Sequence, residues 1–248
     1  MNKSLIKMRF AKNLDSYHEH AKIQKLMSEK LVKFLEKNAF DSVLELGCGT
    51  GFLTEQISKK IQYNAYTAID IVPECKSYIN KIDSKIQFLA EDIETFVKNN
   101  PKTYDLIVSN ASLQWVENLK EFIKILLERL NKNGILLFST FGKRNFQEIY
   151  KISGKTLSYI NTCDLENEFK DFSIITDEEI HILNFNSPKE ILRHMQLTGV
   201  NAIENITWTK GDMFKFERDY LDNCNGAPTL TYNPIYIKIC NNKNRTYG

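Results

Sequence analysis

Three glycines at alternate positions are the feature of this sequence best suited to chemistry. They lie in the segment Glu45-Leu46-Gly47-Cys48-Gly49-Thr50-Gly51. The segment follows an apolar run, Ser42 to Leu46, that is typical of a buried strand, and precedes a predicted helix from about Phe52. Glycine lets the backbone turn tightly and approach a ligand without a Cβ in the way. The spacing is GxGxG rather than the GxGxxG of dinucleotide-binding folds, because Phe52 occupies the third glycine position. Taken alone, the pattern also fits a tight turn that binds nothing.

Polar residues follow the next three predicted strands, where each could contact a ligand. Asp70 ends the second strand, and a carboxylate there could accept hydrogen bonds from both hydroxyls of a ribose, or simply cap the next helix. Asp92 follows the third strand and could accept from an adenine amino group, with Ile93 against the ring. The alternative for this pair is an ordinary polar loop. Asn110 follows the fourth strand.

The elements that must position these residues alternate along the chain. Short apolar runs predict strands at 42–46, 65–69, 86–89, 104–108 and 135–138. Helical segments separate them, which favours parallel pairing through right-handed crossovers and predicts a doubly wound α/β sheet. The carboxyl ends of the strands then face one crevice, where open α/β sheets bind their ligands.

The segments outside this alternation predict further elements. Ser16-Tyr17-His18-Glu19 has the form of a capping box, so a first helix is predicted from Ser16. Apolar residues follow it at helical spacing, at Ile23, Met27, Leu31 and Phe34. The last third predicts a long strand over 172–185, helices over 188–197 and 213–221, and a final strand over 232–239. A polar tail follows Cys240.

Composition excludes several function classes. The chain has 248 residues, a formal net charge of +2 and 26% charged residues, without the basic stripe of a nucleic-acid binder. No apolar run approaches the roughly 20 residues that a membrane span needs. The five cysteines show neither CxxC pairing nor a nearby histidine at ligand spacing. We therefore expect a cytoplasmic monomer with reduced thiols, with no metal site, and with no nucleic-acid or membrane partner.

The motifs together resemble the class I S-adenosylmethionine methyltransferases. The resemblance is carried by residues 44–51, Asp70, Asp92 and the segment Asn110-Ala111-Ser112-Leu113-Gln114-Trp115. It implies a mostly parallel, seven-stranded Rossmann-like sheet and S-adenosylmethionine as methyl donor, with S-adenosylhomocysteine as product. Glu45 or the glycine backbone would hold the methionine end, Asp70 the ribose, and Asp92 with Ile93 the adenine. The full set of implied cofactor-binding residues is Glu45, Gly47, Gly49, Gly51, Asp70, Ile71, Asp92, Ile93 and Asn110.

Segments nearer the two ends are similar to the malonyl-acyl carrier protein O-methyltransferases of biotin synthesis. They are Arg9-Phe10-Ala11, Tyr17-His18-Glu19-His20-Ala21, Gln24, Ser139-Thr140-Phe141-Gly142, residues 197–202 and residues 230–236. Only the linker between Asn145 and Phe172 matches no motif. The resemblance implies one methyltransferase domain over 1–248, with a helical cover (1–38), a cofactor-binding core (39–142), lid helices and last strands (143–240), and a tail (241–248). The implied reaction methylates the free carboxylate of a malonyl thioester on acyl carrier protein.

Such a carboxylate needs positioning rather than a general base. Its pKa, roughly 3 to 4, leaves it ionised at neutral pH. Arg144 is the candidate for a two-point contact with it, although a loop arginine can equally be exposed to solvent. Tyr17 and His20 lie one helical turn apart and could line the same cleft. Trp115 and Asn110 complete the predicted substrate-binding set, and the aromatic residues and His20 could instead simply pack the core.

The implied partner is an acyl carrier protein bearing a malonyl group. A lid between Lys143 and about Asn225 would admit its narrow arm, and basic residues at the mouth would suit an acidic carrier surface. Lys143, Lys155, Lys189 and Arg193 are available for this contact. Two alternatives stay open: a small-molecule carboxylate methyltransferase of the trans-aconitate type, whose Asn-Ala-x-Leu-x-Trp segment is similar, and a cofactor-binding protein without catalysis.

Overall fold

The computed structural model describes residues 3–154, 157, 159–199 and 209–241. The strands are β1 (Ala39–Leu46), β2 (Gln62–Asp70), β3 (Gln87–Ala90), β4 (Tyr104–Asn110), β5 (Leu130–Phe141), β6 (Ser173–Glu178), β7 (His181–Asn184), β8 (Thr229–Tyr232) and β9 (Pro234–Cys240). The helices are α1 (Lys3–Lys12), α2 (Leu14–His20), α3 (Lys22–Leu31), α4 (Phe52–Lys60), α5 (Lys76–Ile82), α6 (Ile93–Asn99), α7 (Leu119–Glu128), α8 (Gln147–Ser153), α9 (Thr162–Glu168), α10 (Pro188–Leu197) and α11 (Lys210–Asn223).

Seven strands form one sheet in the order β3-β2-β1-β4-β5-β9-β6. The pairs among β1 to β5 are parallel, and β9 is antiparallel to both β5 and β6. Strand order reverses between β1 and β4, and ligands bind open α/β sheets at such a switch point. The predicted doubly wound, mostly parallel seven-stranded sheet is confirmed.

The central strands are apolar throughout because both faces of the sheet are covered. Successive residues of β4, Leu106 and Ile107, belong to different hydrophobic clusters, as do Leu136 and Leu137 of β5. A strand turns alternate side chains to opposite faces, so a fully covered strand cannot show a polar alternation. Helices α3 and α4 contribute to one cluster, and α6 and α7 to the other.

The amino-terminal region differs from its prediction. Three short helices, α1 to α3, replace one helix beginning at Ser16, and a break at Ala21 separates α2 from α3. The predicted capping box is wrong, because Ser16 lies inside α2 and its hydroxyl donates to the carbonyl oxygens of Asn13 and Leu197. The apolar spacing that predicted the later helix is correct for Ile23, Met27 and Leu31, which are buried in α3.

The last third differs from its prediction at two strands. The long strand over 172–185 divides into β6, which joins the main sheet, and β7, which pairs with β8 in a separate two-stranded sheet. Similarly, the predicted strand 232–239 is divided at Asn233 between β8 and β9. The predicted helices at 188–197 and 213–221 are confirmed as α10 and as part of α11. Lys155 and residues 242–248 of the tail lie outside the described residues.

Helix α10 packs against α2 and α11, and α8 packs against α11 and β8, so the later helices join the amino-terminal ones beside the sheet. Within the described ranges, no helix has the length and apolar character that crossing a membrane requires.

Candidate active site

The glycine turn adopts backbone angles that favour glycine. Gly47 has φ +68°, and a Cβ there would lie 2.0 Å from the Ser112 hydroxyl oxygen, so no larger residue fits without displacing that loop. The amide nitrogens of Gly47 and Cys48 donate to the carbonyl of Ile69, at 2.8 and 3.0 Å. The turn after β1 is thereby fixed to the end of β2.

A cavity, called here the main cavity, opens at the carboxyl ends of β1, β2 and β4. Most of the predicted site residues line it, namely Tyr17, Glu45, Gly47, Gly49, Asp70, Ile71, Asp92, Ile93, Asn110 and Trp115. Gly51, His20 and Arg144 are not in its lining. Residues from the first 116 positions therefore meet Thr198 and Gly199, which directly follow α10, around one space.

Asp70 lines the cavity and is 5% exposed. One carboxylate oxygen accepts the Gly49 amide at 2.8 Å and the other accepts the Val72 amide at 2.9 Å. Burial raises the pKa of Asp70, and these backbone hydrogen bonds oppose the rise by stabilising the charged form. The two backbone hydrogen bonds fix the carboxylate at the cavity surface, and its ribose-binding role stays a prediction.

Glu45, at the end of β1, is 1% exposed and also lines the cavity. Its Oε2 accepts hydrogen bonds from the Tyr66 hydroxyl at 2.5 Å and the Thr54 hydroxyl at 2.7 Å. Burial raises the pKa of Glu45 to about 7, with the Tyr66 and Thr54 hydrogen bonds opposing the rise. A buried acid that is partly protonated at neutral pH can respond to a cationic ligand by ionising.

Asp92 caps helix α6 by accepting the Thr95 amide at 3.0 Å, and it also lines the cavity. Lys3 of α1 reaches it at 2.8 Å and contacts Glu94 at 2.5 Å. Burial tends to raise the pKa of Asp92, but the hydrogen bonds from Lys3 and Thr95 outweigh it, so the pKa is lowered. The ion pairs hold α1 against the predicted adenine end of the cavity.

Both polar atoms of the Asn110 side chain form hydrogen bonds within the protein. Its amide nitrogen donates to the carbonyl of Gln24 at 2.9 Å, and its oxygen accepts the Ser139 hydroxyl at 2.6 Å. It therefore joins β4 to α3 and β5, and it fixes the backbone of Gln24 beside the cavity. Asn110 lines the cavity, and these bonds make it a residue that positions Gln24.

Two buried side-chain polar atoms of the described residues have no hydrogen-bond partner, and both belong to residues of this cavity. They are the Gln24 Oε1 and the Thr50 hydroxyl oxygen, each on a side chain 3% exposed. An unpaired buried polar group costs about 1–3 kcal/mol, and so such groups usually have a partner. A ligand with an ammonium and a carboxylate group would supply one, since the Gln24 oxygen accepts and the Thr50 hydroxyl can donate.

Aromatic residues also line the cavity. Tyr17 of α2 lies between Phe10, edge to face at 4.9 Å, and Phe52, stacked at 5.9 Å between ring centroids. Burial raises the pKa of Tyr17 and the nearby Asp70 raises it further, so its hydroxyl stays protonated at neutral pH. Trp115 follows in a 3-10 turn, Leu113–Trp115, on the neighbouring wall.

Three predicted residues lie elsewhere. His20 is the last residue of α2, next to the break at Ala21, and is exposed. Arg144 is exposed in the loop after β5, where its backbone amide donates to Asn233. Gly51 begins α4 at φ +87°, and a Cβ there would lie 2.4 Å from Ile82 Cδ1, so its role is to admit α5.

Several residues that line the cavity could not be predicted from the sequence. Phe10 lies over the glycine turn, because a Cβ added to Gly49 would come within 3.3 Å of its ring. Lys3, Gln24, Thr50 and Gln114 also line the cavity. Phe10, Gln24 and Gln114 stand in segments that carry the family resemblance, which was the available signal, but nothing in their spacing assigns them a role. No sequence pattern indicates a role for Lys3, because its ion pairs join residues about 90 positions apart in the chain.

Comparison with known proteins shows the family to which this chain belongs. A family profile for a methyltransferase domain matches residues 17–205. A malonyl-[acyl-carrier protein] O-methyltransferase from Calditerrivibrio nitroreducens is 37% identical over 97% of this chain and 98% of that protein. Another, from Acinetobacter baylyi, is 34% identical over 96% of each. The chain belongs to this methyltransferase family. Family membership makes S-adenosylmethionine the methyl donor, and it makes the chain an O-methyltransferase.

Solved structures agree on the fold at much lower identity. The N-methyltransferase NodS from Bradyrhizobium japonicum, in complex with S-adenosylhomocysteine, matches with a TM-score of 0.54 at 14% identity, covering 96% of this chain and 99% of that one. The YjhP protein from E. coli matches with a TM-score of 0.61 at 14% identity, covering 94% and 99%. These likenesses concern the arrangement of helices and strands.

Proposed function

We propose that the chain methylates the free carboxylate of a malonyl group carried on acyl carrier protein, giving the malonyl methyl ester that begins pimeloyl synthesis for biotin. The observation that carries the proposal is the similarity to malonyl-carrier methyltransferases over nearly the full length of both chains. It includes the amino-terminal helices and the residues that directly follow α10, which line the main cavity and would contact a substrate.

The residues of the main cavity fit the proposed methyl donor. Bound S-adenosylmethionine supplies an electrophilic methyl group on a sulfonium. Asp70 would accept from the ribose hydroxyls, and Asp92 with Ile93 would contact the adenine. Gln24 and Thr50 would satisfy their unpaired oxygens on the amino-acid end, beside Glu45 and the backbone of Gly47 and Gly49. We propose one methyltransferase domain over 1–248, since these residues come from distant parts of the chain.

The proposed substrate end recognises a carboxylate with neutral donors. Lys3 is the cation in the described lining, and it is already paired with Asp92 and Glu94. Tyr17 keeps its proton and has its ring fixed between Phe10 and Phe52, so its hydroxyl can orient one carboxylate oxygen. A single neutral donor leaves the other oxygen nucleophilic, whereas a two-point arginine contact would engage both. The aromatic walls exclude water from the attacking oxygen.

This lining argues against the small polycarboxylate alternative. A free tricarboxylate would need more than one cationic anchor in a water-poor site, because unpaired charges are costly to bury. The described lining offers Lys3 alone, at the proposed adenine end. A malonyl thioester carries one carboxylate, and the rest of the molecule is neutral where it enters the protein.

The test is mass spectrometry of malonyl-acyl carrier protein after incubation with the protein and S-adenosylmethionine. We expect the mass of one methylene unit to be added to the malonyl carrier and not to the unloaded carrier. A parallel incubation replaces the carrier with trans-aconitate. Methylation of trans-aconitate with an unchanged carrier would overturn the proposal in favour of the small-molecule alternative.

A further inference from the structure

A second cavity lies beside the main cavity, on the far side of the 3-10 turn Leu113–Trp115. Its walls come from that turn, the start of α7, the end of β5 and the segment before α9. The residues that define it are Leu113, Gln114, Val116, Glu117, Asn118, Leu119, Lys120, Thr140, Phe141, Tyr159, Ile160 and Asp164. None of the roles proposed for the main cavity involves this second cavity.

The two cavities share a wall. Gln114 and Val116 line both of them, and Trp115 between these two residues lines the main cavity. The Gln114 side chain is held in place, because its amide nitrogen donates to the Ala111 carbonyl at 2.6 Å and its oxygen accepts the Thr140 hydroxyl at 3.4 Å. The two cavities therefore adjoin at Gln114 and Val116, beside Trp115 of the main cavity.

The second cavity has a mixed lining of polar and apolar side chains and a rim of balanced charge. Leu113, Phe141 and Ile160 provide the apolar surface. The rim carries acidic Glu117 and Asp164 against Lys120, and Lys143 lies 3.5 Å from Asp164. The rim is close to neutral, so it gives no reason for a strongly charged ligand to bind there.

One hydroxyl in this cavity is prepared to donate. Tyr159 accepts the side-chain amide of Asn145 at 2.9 Å, which leaves its own proton for another acceptor. Burial raises the pKa of Tyr159 to about 12, so the proton stays in place at neutral pH. The carbonyl oxygen of an uncharged ligand is a suitable acceptor for this proton.

We propose that the second cavity holds the pantetheine arm of the thioester substrate, with the malonyl carboxylate passing the Gln114–Val116 wall into the main cavity. The inference rests on the proposed function. The arm is a flexible chain of methylene and amide groups without charge along most of its length, which matches a mixed polar and apolar lining with a fixed hydroxyl donor. Its amide carbonyls would accept from Tyr159, and its methylenes would pack on Phe141 and Ile160.

The test fills the cavity from its rim. Leu119 is half-buried at the first turn of α7, and Leu119→Trp would occupy the space without removing a core side chain. We expect kcat/KM for malonyl-acyl carrier protein to fall about tenfold or more, because the arm loses its path. The malonyl thioester of N-acetylcysteamine lacks most of the arm, and its kcat/KM should fall much less. Leu26→Trp is the control, because Leu26 is exposed on α3 and lines neither cavity, and it should preserve carrier turnover.

Ile160→Trp fills the cavity from the opposite wall and should show the same split between substrates, so the test does not depend on one variant folding. S-adenosylmethionine affinity, measured by calorimetry, should be unchanged in all variants. Equal losses on both thioesters, or no loss on either, would overturn the arm assignment while wild-type turnover leaves the proposed function intact. Failure of wild-type protein on both thioesters would instead overturn the proposed function.

Discussion

The backbone amide of Gly49 donates to the carboxylate of Asp70 at 2.8 Å, and the bond is buried. It joins the glycine turn after β1 to the last residue of β2, so the two parts of the site have one fixed separation. Both residues were predicted to bind the cofactor, and the bond shows that each also holds the other in place. Loss of Asp70 should therefore affect the glycine turn as well as a bound ribose.

Asp70→Asn should weaken S-adenosylmethionine binding about tenfold or more. A hydrogen bond to a charged group contributes about 1.5–3 kcal/mol, and asparagine offers a single acceptor oxygen to the Gly49 amide and the ribose. Isothermal titration calorimetry measures the effect. Asp83→Asn is the matched control, because Asp83 accepts from Tyr63 and the Lys85 amide but does not line the main cavity. Equal affinities for Asp70→Asn and wild type would remove the ribose role.

Gln24→Leu separates ligand binding from folding. Without cofactor, the variant should be as stable as wild type or more stable, because it removes an unpaired buried oxygen worth about 1–3 kcal/mol. With S-adenosylmethionine it should gain less stability than wild type, since that oxygen no longer accepts from the ligand. Thermal unfolding with and without cofactor measures both changes.

Ser28→Ala is the control for Gln24, since Ser28 is also buried in α3 and its hydroxyl already donates to the Lys25 carbonyl at 2.7 Å. Its cofactor-induced stabilisation should match wild type. A Gln24→Leu variant that is destabilised without ligand and is stabilised normally by cofactor would show that the unpaired oxygen has a structural partner instead.

The central sheet and the glycine turn could be predicted because their signals are local. Residues 104–108 and 135–138 are mostly apolar runs, which are typical of a strand covered on both faces. They are found in β4 and β5. Asp70 and Asp92 could be placed because the carboxyl ends of parallel strands meet at one edge. Their partners Gly49 and Lys3 could not be assigned, since a hydrogen bond or ion pair across the fold leaves no periodic pattern.

The errors have physical causes in particular segments. Ser16 matched a capping box, but its hydroxyl found the carbonyls of Asn13 and Leu197, and α2 had already begun at Leu14. The strand predicted over 172–185 carries Asp177 and Glu179, which pair with Lys30 at 2.6 and 2.8 Å. That acidic stretch coincides with the place where the strand leaves the main sheet, and only tertiary contacts decide it.

Tyr17→Phe should lower turnover of malonyl-acyl carrier protein with cofactor affinity unchanged. The variant keeps the ring between Phe10 and Phe52 and removes only the hydroxyl, so a loss of about tenfold or more in kcat/KM would report a hydrogen bond to the carboxylate. Arg144→Ala is the comparison, because Arg144 is exposed and outside the main cavity. Its kcat/KM should stay within about twofold of wild type, as for most surface substitutions. A larger loss of kcat/KM in Arg144→Ala than in Tyr17→Phe would show that Arg144, and not Tyr17, binds the carboxylate.

Glu45→Gln should remove a pH dependence of stability. The pKa of Glu45 rises from 4.5 to about 7 on folding, so the folded state favours the protonated acid. The stabilising contribution of this group is fully present below pH 4.5 and is lost as pH rises through about 7, at a cost of about 3 kcal/mol. Glutamine resembles the protonated acid, so the variant should gain stability relative to wild type between about pH 5 and pH 8, as the linkage requires. Urea unfolding across that range measures it, with the exposed Glu19→Gln as control. Parallel curves for Glu45→Gln and wild type would mean that Glu45 is ionised throughout.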